Sequence, residues 1–188
     1  MASERGRRSA RQPSAPAGDE PLQWLAALHG RLQGQCDALM RLQERLAGGG
    51  AGAAQRAAAG SVRRTFDRIA GPLHQVEEQE LFPALLESMA GSDAVCIREM
   101  TEARAAEHRD IEARWLGIRQ WLEALEAGHD GPAQVADLEA FASLCRRHMV
   151  QEDQELLAMA ERLLSDEALA DLADAMRQRQ VPGLIAAT

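Results

Sequence analysis

The segment His74-Gln75-Val76-Glu77-Glu78-Gln79-Glu80-Leu81-Phe82-Pro83, HQVEEQELFP, decides how the rest of this chain is read. A second segment, HMVQEDQELL from His148, repeats its spacing, with a carboxylate four residues after each histidine: Glu78 in the first, Glu152 in the second. Residues four apart lie one above the other on a helix. Each segment can therefore turn an imidazole nitrogen and a carboxylate oxygen toward one point. Two such pairs, with one more histidine on each of two further helices, would make a bundle interior able to hold metal.

Working outward, the apolar residues mark helices. From Pro21, the positions Leu22, Leu25, His29, Leu32, Cys36, Leu39 and Leu46 recur in steps of three and four, broken by Gly48-Gly49-Gly50. A second helix is expected from the alanines after Gly52 to about Met89, with Gly71-Pro72 inside it. Proline removes a backbone hydrogen bond, so a kink just before His74 is expected, or two helices split at Gly71. Gly91-Ser92-Asp93 makes a turn with a helix cap, and a third helix runs to about Ala127 through Ile97, Arg104, His108, Ile111, Trp115 and Leu122. Gly128 to Pro132 reads as a loop. A fourth helix to about Leu164 carries Leu138, Phe141, Cys145, His148 and Glu152, and a short fifth follows from Ser165 to about Arg179. The expectation is an all-α, antiparallel up-and-down four-helix bundle with a short C-terminal fifth helix. Residues 20–180 form the domain, residues 1–19 a disordered tail rich in Arg, Ser, Pro and Gly, and residues 181–188 a C-terminal tail.

Bulk properties narrow the function. A net charge of -8 argues against a protein built to coat nucleic acid or anionic lipid. No apolar run approaches the ~20 residues that span a bilayer, and the N-terminus lacks the apolar segment of a signal peptide. Cys36, Cys96 and Cys145 are odd in number and widely spaced, which fits a reducing compartment, so a cytoplasmic protein is expected.

Each long helix has one histidine in its apolar seam: His29, His74, His108 and His148. His129 lies in the glycine-rich loop and reads as surface. One seam histidine is most often satisfied by a neighbour. Four, with two seam carboxylates, are harder to satisfy, because each uncompensated buried charge costs several kcal/mol, on the order of a domain's whole stability. Imidazoles and carboxylates together suit a pair of iron or manganese ions bridged by carboxylate, iron in preference to manganese. Cysteine-rich zinc sites and all-oxygen calcium sites fit less well. Cys36 and Cys145 are read as small core residues, with redox sensing the minority option, and Trp24, Trp115 and Trp121 as packing. Glu77, Glu107 and Asp110 are read as solvated helix faces, with holding a histidine N–H from outside the site as the other use.

These segments resemble the hemerythrin-like (HHE cation-binding) domain family: LHGRL at His29, HQVEEQELFP at His74, EHRDIE at His108 and HMVQEDQELL at His148, in that order. The Leu81-Phe82-Pro83 triplet and the AERLLSDEALADL stretch from Ala160 to Leu172 match too. The resemblance covers about residues 20 to 180 and implies a non-heme di-iron centre held by His29, His74, Glu78, His108, His148 and Glu152. Asp153 rivals Glu152, because a five-residue step is the oxygen carriers' version. Helical geometry favours Glu152, since Asp153 is turned ~100° away. Glu112 stands where the carriers have a second helix-three histidine, and is either a further ligand or exposed. A carboxylate-rich site favours higher oxidation states, so reversible oxygen carriage is less expected than iron binding. Cluster-repair members have an additional cysteine-containing N-terminal domain that this sequence does not show. The expected function is binding of iron and a small diatomic ligand, dioxygen or nitric oxide, or sensing of iron or oxidative state. The alternative is a di-iron enzyme acting on peroxide, nitric oxide or dioxygen. A purely structural bundle ranks third.

Overall fold

A computed structural model describes residues 20–89, 93–129, 131 and 134–179. Both tails, the Gly91-Ser92 turn and its cap, and Asp130 and Pro132 of the loop lie outside the described residues. Among the described residues there is no strand. The first helix, α1, spans Glu20–Ala47 and ends in the glycine run, where Gly50 takes a positive φ of 79° that a side chain would oppose. The second long helix is α2 (Ala53–Val76), a π-helical turn (Glu77–Leu81) and α3 (Phe82–Glu87), one after another without a break. α2 passes through Pro72, so the helix is not split at Gly71. The apolar contacts of Ile69 and Leu73, both buried, hold the chain across the missing hydrogen bond. α4 is Asp93–Glu126. Gly128, at φ 84°, reverses the chain while His129 N–H bonds back to the Ala124 carbonyl at 2.9 Å. The fourth long helix is α5 (Val135–Gln151), a second π turn (Glu152–Leu157) and α6 (Ala158–Leu163).

α1 packs on α2 and α5, and α4 packs on the same two, which closes a ring of four helices in chain order. Short connections make neighbours antiparallel, so the topology is up-and-down as expected. α7 (Asp166–Gln178) lies against α1, α2 and the first π turn. Ser165 caps it by accepting from Ala168 N–H at 3.2 Å, and Leu169, Leu172 and Met176 are buried beneath. Arg179, just past its end, bonds Gln79 and Glu80 on the π turn at 2.8 and 2.7 Å.

The core divides into layers. Leu32, Cys36, Leu39, Phe66, Ile69, Trp115, Ile118, Phe141 and Cys145 pack one part of the bundle. Phe66 and Phe141 stack on Trp115 there at 4.5 and 5.8 Å and are tilted to each other at 5.5 Å, and the Trp115 indole N–H donates to Asp67. Beyond them the interior turns polar. His29, His74, Glu77, His108, His148 and Glu152 are each at most 5% exposed. No described helix is long and apolar enough to cross a membrane.

Candidate metal centre

Each long helix delivers one histidine to this layer because each has one histidine in register with its apolar stripe. Three of the four imidazoles crowd together: the His74 and His108 rings stack at 4.0 Å, and His148 stands edge-on to both at 6.0 and 4.8 Å. Donor atoms gather in two groups, one of His74, His108 and His148 and one of His29, Glu77 and Glu152, with atoms inside each group no more than 4.8 Å apart.

The two carboxylates join the groups. Glu77 sends Oε1 to His29 Nε2 at 3.1 Å and Oε2 to His108 Nε2 at 3.4 Å. Glu152 sends Oε2 to His29 Nε2 and His148 Nε2, both at 3.3 Å, and Oε1 to His108 Nε2 at 3.4 Å. Ligands at right angles around an ion with bonds of ~2.1 Å lie ~3.0 Å apart, so these spacings suit donors about to share a cation. Glu77 Oε2, both Glu152 oxygens and His108 Nε2 are buried without a well-formed hydrogen bond. Leaving such atoms unpaired costs ~1–3 kcal/mol each, more for charged groups, and a cation would satisfy all four.

Outside the imidazoles is a second layer of carboxylates. His29 Nδ1 meets Asp153 at 2.7 Å, His74 Nδ1 meets Glu112 at 3.2 Å, His108 Nδ1 meets Glu78 at 2.7 Å and His148 Nδ1 meets Glu107 at 2.9 Å. An Nδ1–H donated outward leaves the Nε2 lone pair facing in. That is the tautomer a metal needs, and the outer carboxylate fixes the ring angle. Arg104, buried between helices, bonds Glu107 at 3.1 Å and Gln151 at 2.6 Å and so anchors one of these partners in turn.

Electrostatics follow from the crowding. Burial is the largest influence on His29 and opposes its charge. Hydrogen bonds to Asp153 and Glu77, with the field of Glu77 and Glu152, outweigh it and raise its pKa to about 10. His108 behaves alike: burial opposes charge, but Glu152, Glu77 and Glu78 together raise it to about 9. His148 is depressed to about 3, first by burial and then by the other three imidazoles, against the pull of Glu152. Without metal, His29 and His108 are thus the imidazoles of the site that favour holding a proton. Glu112 is lowered, chiefly by its bond to His74.

A comparison with protein families matches residues 20–160 to the hemerythrin HHE cation binding domain. The chain belongs to this family. No curated protein and no solved structure gives a match. The family binds cations, and the two groups of His and Glu donors are where this chain could hold a metal ion.

The sequence expectation and the geometry differ at one helix. The structure brings His29, His74, His108, His148 and Glu152 into the two interior groups, but Glu78 does not join them. It is 38% exposed and faces His108 from outside, while Glu77, read as a solvated face or an outer partner, is 1% exposed and in the interior. Relative to His74 on an ideal helix, i+3 lies about 60° to one side and i+4 about 40° to the other, so spacing alone does not choose. The choice is made across the bundle: Glu77 lies between His29 of α1 and His108 of α4. Both π turns begin at an inner glutamate, and Phe82 N–H bonds to the Glu77 carbonyl five residues back. A signal existed in the sequence. Aligning Glu77-Glu78-Gln79-Glu80-Leu81 with Glu152-Asp153-Gln154-Glu155-Leu156 pairs Glu77 with Glu152 and Glu78 with Asp153. The histidine then precedes by three residues in one helix and four in the other. Glu112 and Asp153, the two open candidates, both sit outside as imidazole partners. His129 is exposed.

Proposed function

We propose that this hemerythrin domain is a non-heme di-iron protein that binds a small diatomic ligand, dioxygen or nitric oxide, or reports on iron or oxidative state. The observation that carries the reading is the pair of buried carboxylates, each reaching histidine nitrogens from both oxygens, inside four imidazoles whose outer nitrogens are all committed to carboxylates. His29, Glu77 and Glu152 would hold one ion and His74, His108 and His148 the other, with Glu77 and Glu152 shared. Iron bound there would supply a redox-active Lewis acid with room for a small ligand.

The chain's own part is orientation and exclusion. Asp153, Glu112, Glu78 and Glu107 hold the rings and keep each Nδ1 proton outside. Beside His29, His74 and His148 is a cavity of about 10 Å³, walled mostly by Leu32, Phe66, Ala70, Leu73, Ile111 and Met149. That is about one water's worth of space with apolar walls, which suits an uncharged diatomic better than an organic substrate. We place the protein in the cytoplasm, free of membrane and nucleic acid. A second reading, an enzyme consuming peroxide, nitric oxide or dioxygen, is favoured by the thiol of Cys145 on the same cavity wall.

Metal analysis and the absorption spectrum of the oxidised protein test the first step: two irons per chain and near-ultraviolet charge-transfer bands are expected. Failure to retain iron after supplementation would discard both readings. Stopped-flow mixing with dioxygen, nitric oxide and peroxide then separates a reversible complex from turnover.

A further inference from the structure

We propose that the groove between α1 and α2 lined by Arg31, Arg64 and Arg68 binds a phosphate group, carried by inorganic phosphate or by a small phosphomonoester. The groove holds about 150 Å³, and Ser61, Thr65 and Ile69 complete its wall. None of these residues belongs to the two donor groups of the histidine layer. Ser61, Arg64, Thr65 and Arg68 stand at i, i+3, i+4 and i+7 on α2, which places them on one face, and Arg31 comes from α1 beside it. Ile69 is fully buried at the base, so the polar side chains form the rim.

Charge sets this groove apart. Residues 21–76, which span both helices, carry seven arginines against three carboxylates, a net +4 in a chain of net -8. The three are Asp37, Glu44 and Asp67. Asp37 is bonded by Arg146 of α5 at 2.6 Å, and Asp67 by Trp115 and Arg119 of α4 at 2.9 and 3.1 Å. Glu44 is thirteen residues past Arg31, ~20 Å along α1. Arg64 reaches Glu126 only at 3.6 Å, and Arg63 already holds that carboxylate at 2.5 Å. Like charges four residues apart on a helix repel, as Arg64 and Arg68 do, and an oxyanion set among the guanidinium groups relieves that repulsion.

The donor set selects the anion. Guanidinium forks match the paired oxygens of a phosphate, and a tetrahedral group accepts from two helices at once. The Thr65 hydroxyl is committed to the Ser61 carbonyl at 2.9 Å, which leaves the Ser61 hydroxyl as the donor on this face. The volume is below the ~300 Å³ of pockets that enclose a whole drug-sized ligand, so the remainder of a phosphomonoester would extend into solvent. A long polyanion fits less well: with +4 here in a total of -8, the rest of the chain carries -12 and repels it.

Isothermal titration calorimetry of the full-length, iron-loaded protein at low ionic strength tests this, with inorganic phosphate in one arm and glycerol 3-phosphate in the other. One saturable site is expected in at least one arm, weakening as chloride is raised. Tighter binding of inorganic phosphate identifies the free ion as the ligand, and tighter binding of glycerol 3-phosphate a monoester. Arg64→Gln and Arg68→Gln should each weaken the site about tenfold, the loss of one charge-assisted hydrogen bond. Arg147→Gln, at an exposed position of α5, should leave it unchanged. Iron can itself take phosphate, so the titration is repeated on metal-free protein and on Glu77→Gln, where binding should persist. No saturable heat in either arm, or binding that Arg64→Gln and Arg68→Gln leave intact, would overturn the proposal. So would binding lost on removal of iron from protein that circular dichroism shows to be folded.

Discussion

Glu77→Gln and Glu78→Gln, adjacent and chemically identical changes, should differ sharply in their effect on metal. Glu77 is 1% exposed and reaches His29 and His108 from separate oxygens at 3.1 and 3.4 Å. An amide there keeps one oxygen, turns the other position into a donor facing imidazole nitrogen, and removes a negative charge from between the two donor groups. Removing one partner from a buried ionic set costs ~3–5 kcal/mol, or roughly 10²- to 10³·⁵-fold in affinity. Glu78 is 38% exposed and touches only the outer nitrogen of His108, at 2.7 Å. Losing such an outer partner costs ~10- to 100-fold. Equilibrium dialysis against a graded chelator series, with iron per chain measured by plasma emission, reads both numbers. Circular dichroism melts of the metal-free variants show that each folds. Glu78→Gln weakening iron as much as Glu77→Gln, or more, would refute the placement of Glu77 inside.

On the fourth helix the same logic ranks Glu152→Gln as more damaging to iron content than Asp153→Asn, since Asp153 supports His29 only from outside; the reverse order would reassign that carboxylate. His148→Ala should lose iron and lower the melting temperature of the loaded protein, because metal bound only to the folded state adds to its stability, whereas His129→Ala, at an exposed loop position, should change neither. Proton release provides a fourth check. His29 and His108, raised to about 10 and about 9, hold protons at pH 7.5 that a cation must displace, so calorimetry in buffers of different ionisation enthalpy should show about two protons released per loaded site. Affinity should accordingly climb with pH up to about 10, less steeply above about 9. Their folded pKa values exceed the unfolded one, so their contribution to the metal-free fold is complete below about pH 6.5. It is lost as pH rises through about 9 and about 10. Loading with no proton release would contradict the raised pKa values of His29 and His108.

Much of this molecule was legible in one dimension. Helix count, helix order and the four seam histidines follow from a three-and-four apolar spacing, because a helix can bury only the stripe it repeats. Chain ends of helices were legible where glycine or serine has a local job, as at Gly50, Gly128 and Ser165. The two open questions about Glu112 and Asp153 were not decidable there. Each lies on one helix, and the imidazole it supports lies on another: Glu112 of α4 on His74 of α2, Asp153 of the second π turn on His29 of α1.

The order of residues alone therefore settles which helices exist and which residue types they bring inward. Which of two neighbouring glutamates enters, Glu77 or Glu78, is hinted at by the alignment of residues 77–81 with residues 152–156 but decided by the tertiary structure. Both lie within about 60° of the His74 direction, a difference that no local preference resolves. The histidines of α1 and α4 resolve it, because a buried carboxylate is stable only where neighbouring helices offer both of its oxygens a partner.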